Sequence, residues 1–150
     1  MANLTGSSTA EMNAPLDEVW KIVEDVEIAP QWQGGLKALR ATERDAEGRA
    51  TVCEADSDAK VRTLRSTVRF SYEGAPNKLT WSQVKGDLKS VDGSWVLEDL
   101  GDGRTRASYN LDIDLGRLGL VIRGPLVGVI RSMLVEARAG ELKQRMESGA

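Results

Sequence analysis

Tyr72 and Tyr109, with Trp32, Trp81 and Trp95, are the side chains best suited to meeting another molecule, since each joins a large apolar ring to one hydrogen-bonding group. Rings of this kind offer an apolar ligand broad contact, and an indole N–H or a phenol O–H orients whatever polar group it carries. The sequence has 150 residues and no histidine, which removes the commonest general base, the triad imidazole and the usual zinc ligand together. Any chemistry would have to run on carboxylates, Lys, Arg, Tyr or water. The single cysteine, Cys53, sits in a strand-like Ala-Thr-Val-Cys-Glu-Ala segment without an activating neighbour, and reads as a small buried thiol. Glu54, Asp56 and Asp58 lack the glycine and the distal glutamate of a calcium loop and read as a solvated strand end. No residue is assigned as catalytic, and no metal or cofactor is expected.

These side chains must be positioned by elements that the spacing of apolar residues identifies. Ala10 and Met12 share a face in a first strand over Ser8 to Asn13. Pro15 then opens a short amphipathic helix, with Asp17 and Glu18 in its first turn and Leu16, Val19, Trp20 and Val23 along one side, ending near Asp25. Ala29-Pro30 limits Glu27 to Trp32 to one further turn. From about Gly35 to Leu115 the chain alternates, punctuated by Asp45-Ala-Glu-Gly48, Gly74-Ala-Pro-Asn77, Lys85-Gly-Asp87 and Gly101-Asp-Gly103, all turn-forming clusters.

Alternation also assigns faces. Leu64, Val68, Phe70 and Tyr72 share a side, as do Leu79 and Trp81, then Val91, Gly93, Trp95 and Leu97, then Ala107, Tyr109, Leu111, Ile113 and Leu115. Arg65, Arg69, Glu98, Arg106, Asn110, Asp112 and Asp114 take the opposite side. One face is wet and one is covered, as in an antiparallel sheet with a helix on one side.

The cover is a long helix from Pro125 to about Met146, with Leu126, Val129, Ile130, Met133, Leu134 and Ala137 on one stripe. That stripe rotates at Gly140, where a bend is expected. A single curved sheet gripping a single long helix leaves space between them. Trp32, Tyr72, Trp81, Trp95, Tyr109 and Leu111 are therefore the expected ligand-binding residues of the sheet side, with Ile130, Met133 and Ala137 facing them from the helix.

The order of elements and several local patterns resemble the START-like SRPBCC superfamily, in its polyketide cyclase/dehydrase and lipid-transport branch. The residues that carry the resemblance are Asn13-Ala-Pro15 with Val19-Trp20, Asp25 with Pro30 and Trp32, Leu79-Thr-Trp81, Gly93-Ser-Trp95-Val-Leu97, and Asp102-Gly-Arg-Thr105 leading into Tyr109-Asn-Leu-Asp-Ile-Asp-Leu115. The resemblance spans essentially the whole chain. It implies an α+β helix-grip fold, a curved antiparallel sheet of about seven strands around the C-terminal helix with two short helices after the first strand. It also implies a cavity for lipids, sterols, isoprenoid quinones or polyketides. Residues 1–150 are expected to form one such domain, since a chain this size buries roughly 68–70% of its unfolded surface.

Three functions stay open. The first is a non-enzymatic binder or carrier of a small hydrophobic ligand, towards which the missing histidine leans. The second is a polyketide aromatase/cyclase using the same cavity, and the third is an interaction module like the ribosome- or coenzyme-Q-associated relatives of the fold. A net charge of -3 argues against nucleic acid as a partner. The first residues lack a basic region and an apolar run, so a cytoplasmic location is expected. Gly116 to Gly124 is a loop loaded with Leu118, Leu120, Val121 and Ile122 beside Arg117, Arg123, Arg131, Arg138, Lys143 and Arg145. It is the segment expected to gate the cavity and to make a transient membrane contact. The sequence leaves ligand identity and oligomeric state undetermined.

Overall fold

A computed structural model describes residues 3–60 and 62–148. Strand β1 (Asn3–Met12) is followed by helix α1 (Leu16–Glu24) and a 3-10 segment (Val26–Gln31). Six further strands come next: β2 (Leu36–Arg44), β3 (Ala50–Asp58), β4 (Thr63–Ser71), β5 (Lys78–Gly86), β6 (Ser90–Gly101) and β7 (Arg104–Asp114). A second 3-10 segment (Gly116–Leu120) leads to a C-terminal helix built of α2 (Pro125–Arg131), a π-helical turn (Ser132–Glu136) and α3 (Arg138–Glu147). The strands form one antiparallel sheet in the order β1-β7-β6-β5-β4-β3-β2. The first strand begins earlier than its alternation suggested, because β1 pairs with β7 from Asn3↔Asp114 to Met12↔Thr105 without interruption.

Register shifts between β2 and β3, between β4 and β5 and between β6 and β7 mark bulges, and each bulge bends and twists its strand. The sheet curves as a result. The C-terminal helix meets that curve at one side only, packing on β1 and β7, while α1 lies against β6 and β7 and the first 3-10 segment against β2. Among the described residues, the main helix packing falls away from the middle strands β3, β4 and β5. Their inner faces must be covered by their own large side chains or left open.

The C-terminal helix is irregular where β1 touches it. Ser8 Oγ donates to the carbonyl of Val135 at 2.9 Å and accepts from the amide of Ala139 at 3.1 Å, so one hydroxyl stands between the two groups that an α-helix would pair directly. The helix responds with a wider turn, in which the Ala137 amide donates to the Ser132 carbonyl. The bend expected at Gly140 is therefore misplaced: the helix runs regularly through Gly140, and its irregularity is the π turn at Ser132–Glu136. That turn adds a residue and rotates everything after it. The buried stripe becomes Ile130, Leu134, Val135, Arg138, Ala139 and Leu142, while Val129 and Ala137 face solvent.

Candidate functional site

Under the middle strands lies a pocket with about 140 Å³ in which a water-sized sphere can be centred. A single water needs roughly 10–15 Å³ on that measure, so the space equals about ten waters or one small ligand. Its wall is a connected row of rings. Trp32, in the loop after the first 3-10 segment, lies 6.1 Å between centroids from Trp95 of β6, which meets Tyr109 of β7 edge-on at 4.8 Å. Trp81 of β5 continues the row at 5.6 Å from Tyr109 and 6.0 Å from Phe70 of β4.

Trp81 and Tyr109 belong to strands that are not neighbours, and Gly93 of β6 lies between them, paired with Trp81 and with Leu111. A β-carbon at Gly93 would run into the Trp81 indole at Cε2, Cζ2 and Nε1. The absence of a side chain there lets the indole lie flat across β6 and reach Tyr109.

Five of the residues expected from alternation, Trp32, Trp81, Trp95, Tyr109 and Leu111, stand on this wall. The other four stand elsewhere. Tyr72 shares their face but lies beyond the pocket, where its hydroxyl donates to the Ala50 carbonyl at 2.6 Å and the Arg49 guanidinium sits 4.6 Å from its ring. Ile130 is buried in the core, and Ala137 is turned outward by the π turn. Met133 packs with Leu134 against Gly35, where a β-carbon would collide with Leu134 and the backbone takes φ +81°, a conformation that favours glycine. The helix side of the wall is made by Leu134 and Arg138.

Arg138, one of the basic residues of the C-terminal region, is 3% exposed. Its Nη1 donates to the Gly34 carbonyl at 2.9 Å and to Glu141 Oε1 at 2.8 Å, while the Gly34 amide donates to Glu141 Oε2 at 2.8 Å. The pair thus ties the loop that carries Trp32 to α3. The guanidinium also lies 5.7 Å from the Tyr109 ring. Burial pushes the Tyr109 phenol upward, with the Arg138 charge and hydrogen bond pulling the other way, so the phenol keeps its proton at neutral pH. One signal in the sequence pointed to Arg138: it follows Leu134 by four residues and precedes Glu141 by three, the spacing of a partnered charge on an apolar stripe.

Among the described residues, Trp32 Nε1 and Arg138 Nε are buried without a hydrogen-bond partner. A buried donor left without an acceptor costs about 1–3 kcal/mol, more when charged. Among the described residues no group of His, Cys, Asp and Glu could hold a metal ion.

A curved antiparallel sheet gripping a terminal helix, with an aromatic-walled hollow between them, defines a START-like helix-grip protein. The chain belongs to the polyketide cyclase / dehydrase and lipid transport family, whose signature it matches over residues 12–139. Among solved structures it is similar to a START superfamily protein from Mycobacterium smegmatis, at 24% identity and TM-score 0.78 over 97% of this chain and 99% of that one. A protein from Thermus thermophilus superposes at TM-score 0.77 with 17% identity, covering 97% and 99% of the two chains. The Zhui aromatase/cyclase from Streptomyces sp. R1128 does so at TM-score 0.67 with 17% identity, covering 97% and 83%. These likenesses establish the fold. No curated protein matches the chain in sequence.

Proposed function

We propose that this protein binds, and carries, a small hydrophobic ligand in the space between its sheet and its C-terminal helix. The observation that supports this most is the unfilled pocket behind the row Trp32, Trp95, Tyr109 and Trp81. Side chains in a finished core leave few voids larger than a water. Each 100 Å² of apolar ligand surface removed from water there would contribute about 2.5 kcal/mol. Native mass spectrometry of freshly purified protein, followed by solvent extraction, is expected to release an apolar small molecule. Empty protein should take up the neutral dye N-phenyl-1-naphthylamine with a rise in its fluorescence and quenching of tryptophan emission. A protein that is both empty as isolated and indifferent to the dye would end the proposal.

Loading and release take place, on this reading, at an anionic membrane. In the segment from Gly116 to Gly124, Leu120 is 72% and Val121 55% exposed, flanked by exposed Arg117 and Arg123. Residues 116–131 contain three arginines and no acidic residue, in a chain of net charge -3, so apolar contact and positive charge coincide locally. Retention on vesicles containing phosphatidylserine is expected to exceed retention on pure phosphatidylcholine several-fold, to fall with salt, and to be lost on replacing Leu120 and Val121 by serine. Equal retention on both vesicle types would remove the membrane step while leaving ligand binding intact. Among the described residues no helix is long and apolar enough to cross a membrane.

A further inference from the structure

We infer that a ligand enters and leaves this pocket across the seam between the strap Trp32–Leu36 and the C-terminal helix, and that Arg138 and Glu141 are the latch that keeps the seam shut. The inference rests on the proposed ligand-binding role and concerns how the same space is reached. The strap gives Trp32, Gln33 and Leu36 to the pocket wall, and the helix gives Leu134 and Arg138. Among the described residues no backbone hydrogen bond joins the two segments, so side chains alone close the wall between them. The seam also reaches solvent. Gly34 is exposed, and Trp32, Gln33, Gly35 and Leu36 are half-buried. At the far end of the pocket Leu64, Leu88, Val91 and Ile113 are buried. The Gly116–Gly124 segment, expected from the sequence to be the gate, contributes no residue to the wall.

Few contacts hold the seam, and they meet at one residue. The Gly34 amide donates to Glu141 Oε2 at 2.8 Å, its carbonyl accepts from Arg138 Nη1 at 2.9 Å, and the same Nη1 donates to Glu141 Oε1 at 2.8 Å. One residue on, the Gly35 carbonyl accepts from the Asp58 amide at 2.7 Å, where β2 begins. The strap is thus anchored to the sheet at one end and latched to the helix at its middle. Releasing the latch frees Trp32 and Gln33 from the helix without unpairing any strand, which is what a lid requires. The Glu141 side chain is 23% exposed, so water can take over its hydrogen bonds as the seam parts. Gly34 also makes room for the latch. A β-carbon there would stand 2.8 Å from Glu141 Oε2 and, beyond its chain neighbours, would meet only that carboxylate within 4 Å.

Stopped-flow fluorescence with N-phenyl-1-naphthylamine separates a latch from a binding wall. A latch closes over filled and empty pocket alike, so weakening it speeds entry and exit together and leaves Kd in place. Glu141→Gln, which removes the charge, and Gly34→Ala, which pushes the carboxylate aside from the opposite segment, are each expected to raise both rates about five- to tenfold. Kd should stay within about twofold, and the double variant should match the singles, because both act on one contact. Should Glu141→Gln fail to fold, Gly34→Ala carries the test alone. Unchanged rates, or a shift in Kd through one rate only, would overturn the inference while leaving the binding site standing. Rates that respond to Leu120→Ser and to neither latch variant would place the entrance under Gly116–Gly124 and overturn it as well. Failure of the wild-type protein to take up the dye would remove the site and this inference together.

Discussion

Gly93→Val is expected to lower stability by about 3 kcal/mol, at the upper end of what overpacking costs, and to abolish uptake of N-phenyl-1-naphthylamine. For a protein of this size that corresponds to a melting temperature lower by roughly 6–12 °C. Even a β-carbon at Gly93 collides with the aromatic carbons and nitrogen of Trp81, and valine adds two methyl groups beyond it. The strand cannot retreat, because Gly93 is paired on both sides, with Trp81 of β5 and Leu111 of β7. The indole must move instead. It then loses its contact with Tyr109 and swings either into the pocket or away from the sheet, and in both cases the wall is broken.

The mechanism has a direct check in a double substitution. If collision with the indole is the cause, combining Trp81→Ala with Gly93→Val should cost clearly less than the sum of the two single losses, because the valine then occupies space the indole has vacated. Additive losses would show that valine harms the sheet in some other way. Dye uptake should stay absent in the double variant, since the ring that spans β6 is gone. Stability and binding are thereby separated at one position.

Gly93 also shows how far alternation can carry a reading of this chain. Its place between Val91 and Trp95 on the covered face follows from period two alone, and the same rule put Trp81, Trp95, Tyr109 and Leu111 on that face. What period two cannot give is position along a strand. Tyr72 has the right face but lies past the pocket, because the distance from the helix depends on sheet curvature, and curvature comes from bulges between β2 and β3, β4 and β5, and β6 and β7 that no local pattern announces.

The helix side was less legible for a different reason. A stripe projected at 3.6 residues per turn assumes an unbroken helix, and the hydroxyl of Ser8 interrupts it from more than a hundred residues away in sequence. One extra residue in the turn exchanges Ala137 for Arg138 on the inner side. The same exchange brings Arg138, one of several basic residues of the C-terminal region, onto the pocket wall. Long-range contacts, not local propensity, decided that point.

Between about pH 9 and about pH 11 the wild-type protein is expected to lose roughly 2 kcal/mol more stability than Cys53→Ala, measured by urea unfolding at each pH. Cys53 has no exposed surface, and its backbone is paired with Ala41 of β2 and Val68 of β4. Burial pushes its thiol from 9.0 up to about 11, helped by the Glu27 carboxylate and opposed by Arg44. The direction of the effect follows from proton binding. Above pH 9 the unfolded chain releases the thiol proton while the folded chain keeps it, so the unfolded state binds fewer protons and stability falls as pH rises. The loss is complete once pH passes the folded value. Tyr72 acts in the same sense, because burial and a Cys53 thiolate both raise its phenol, with the Arg49 charge opposing, so Tyr72→Phe should flatten the curve further. Cys53→Ala will start from a lower stability at neutral pH, since it removes a buried sulfur, and only the slope is diagnostic. Parallel curves for wild type and Cys53→Ala across that interval would show that the thiol ionises no later in the folded protein than in the unfolded chain, which its burial between β2 and β4 does not allow.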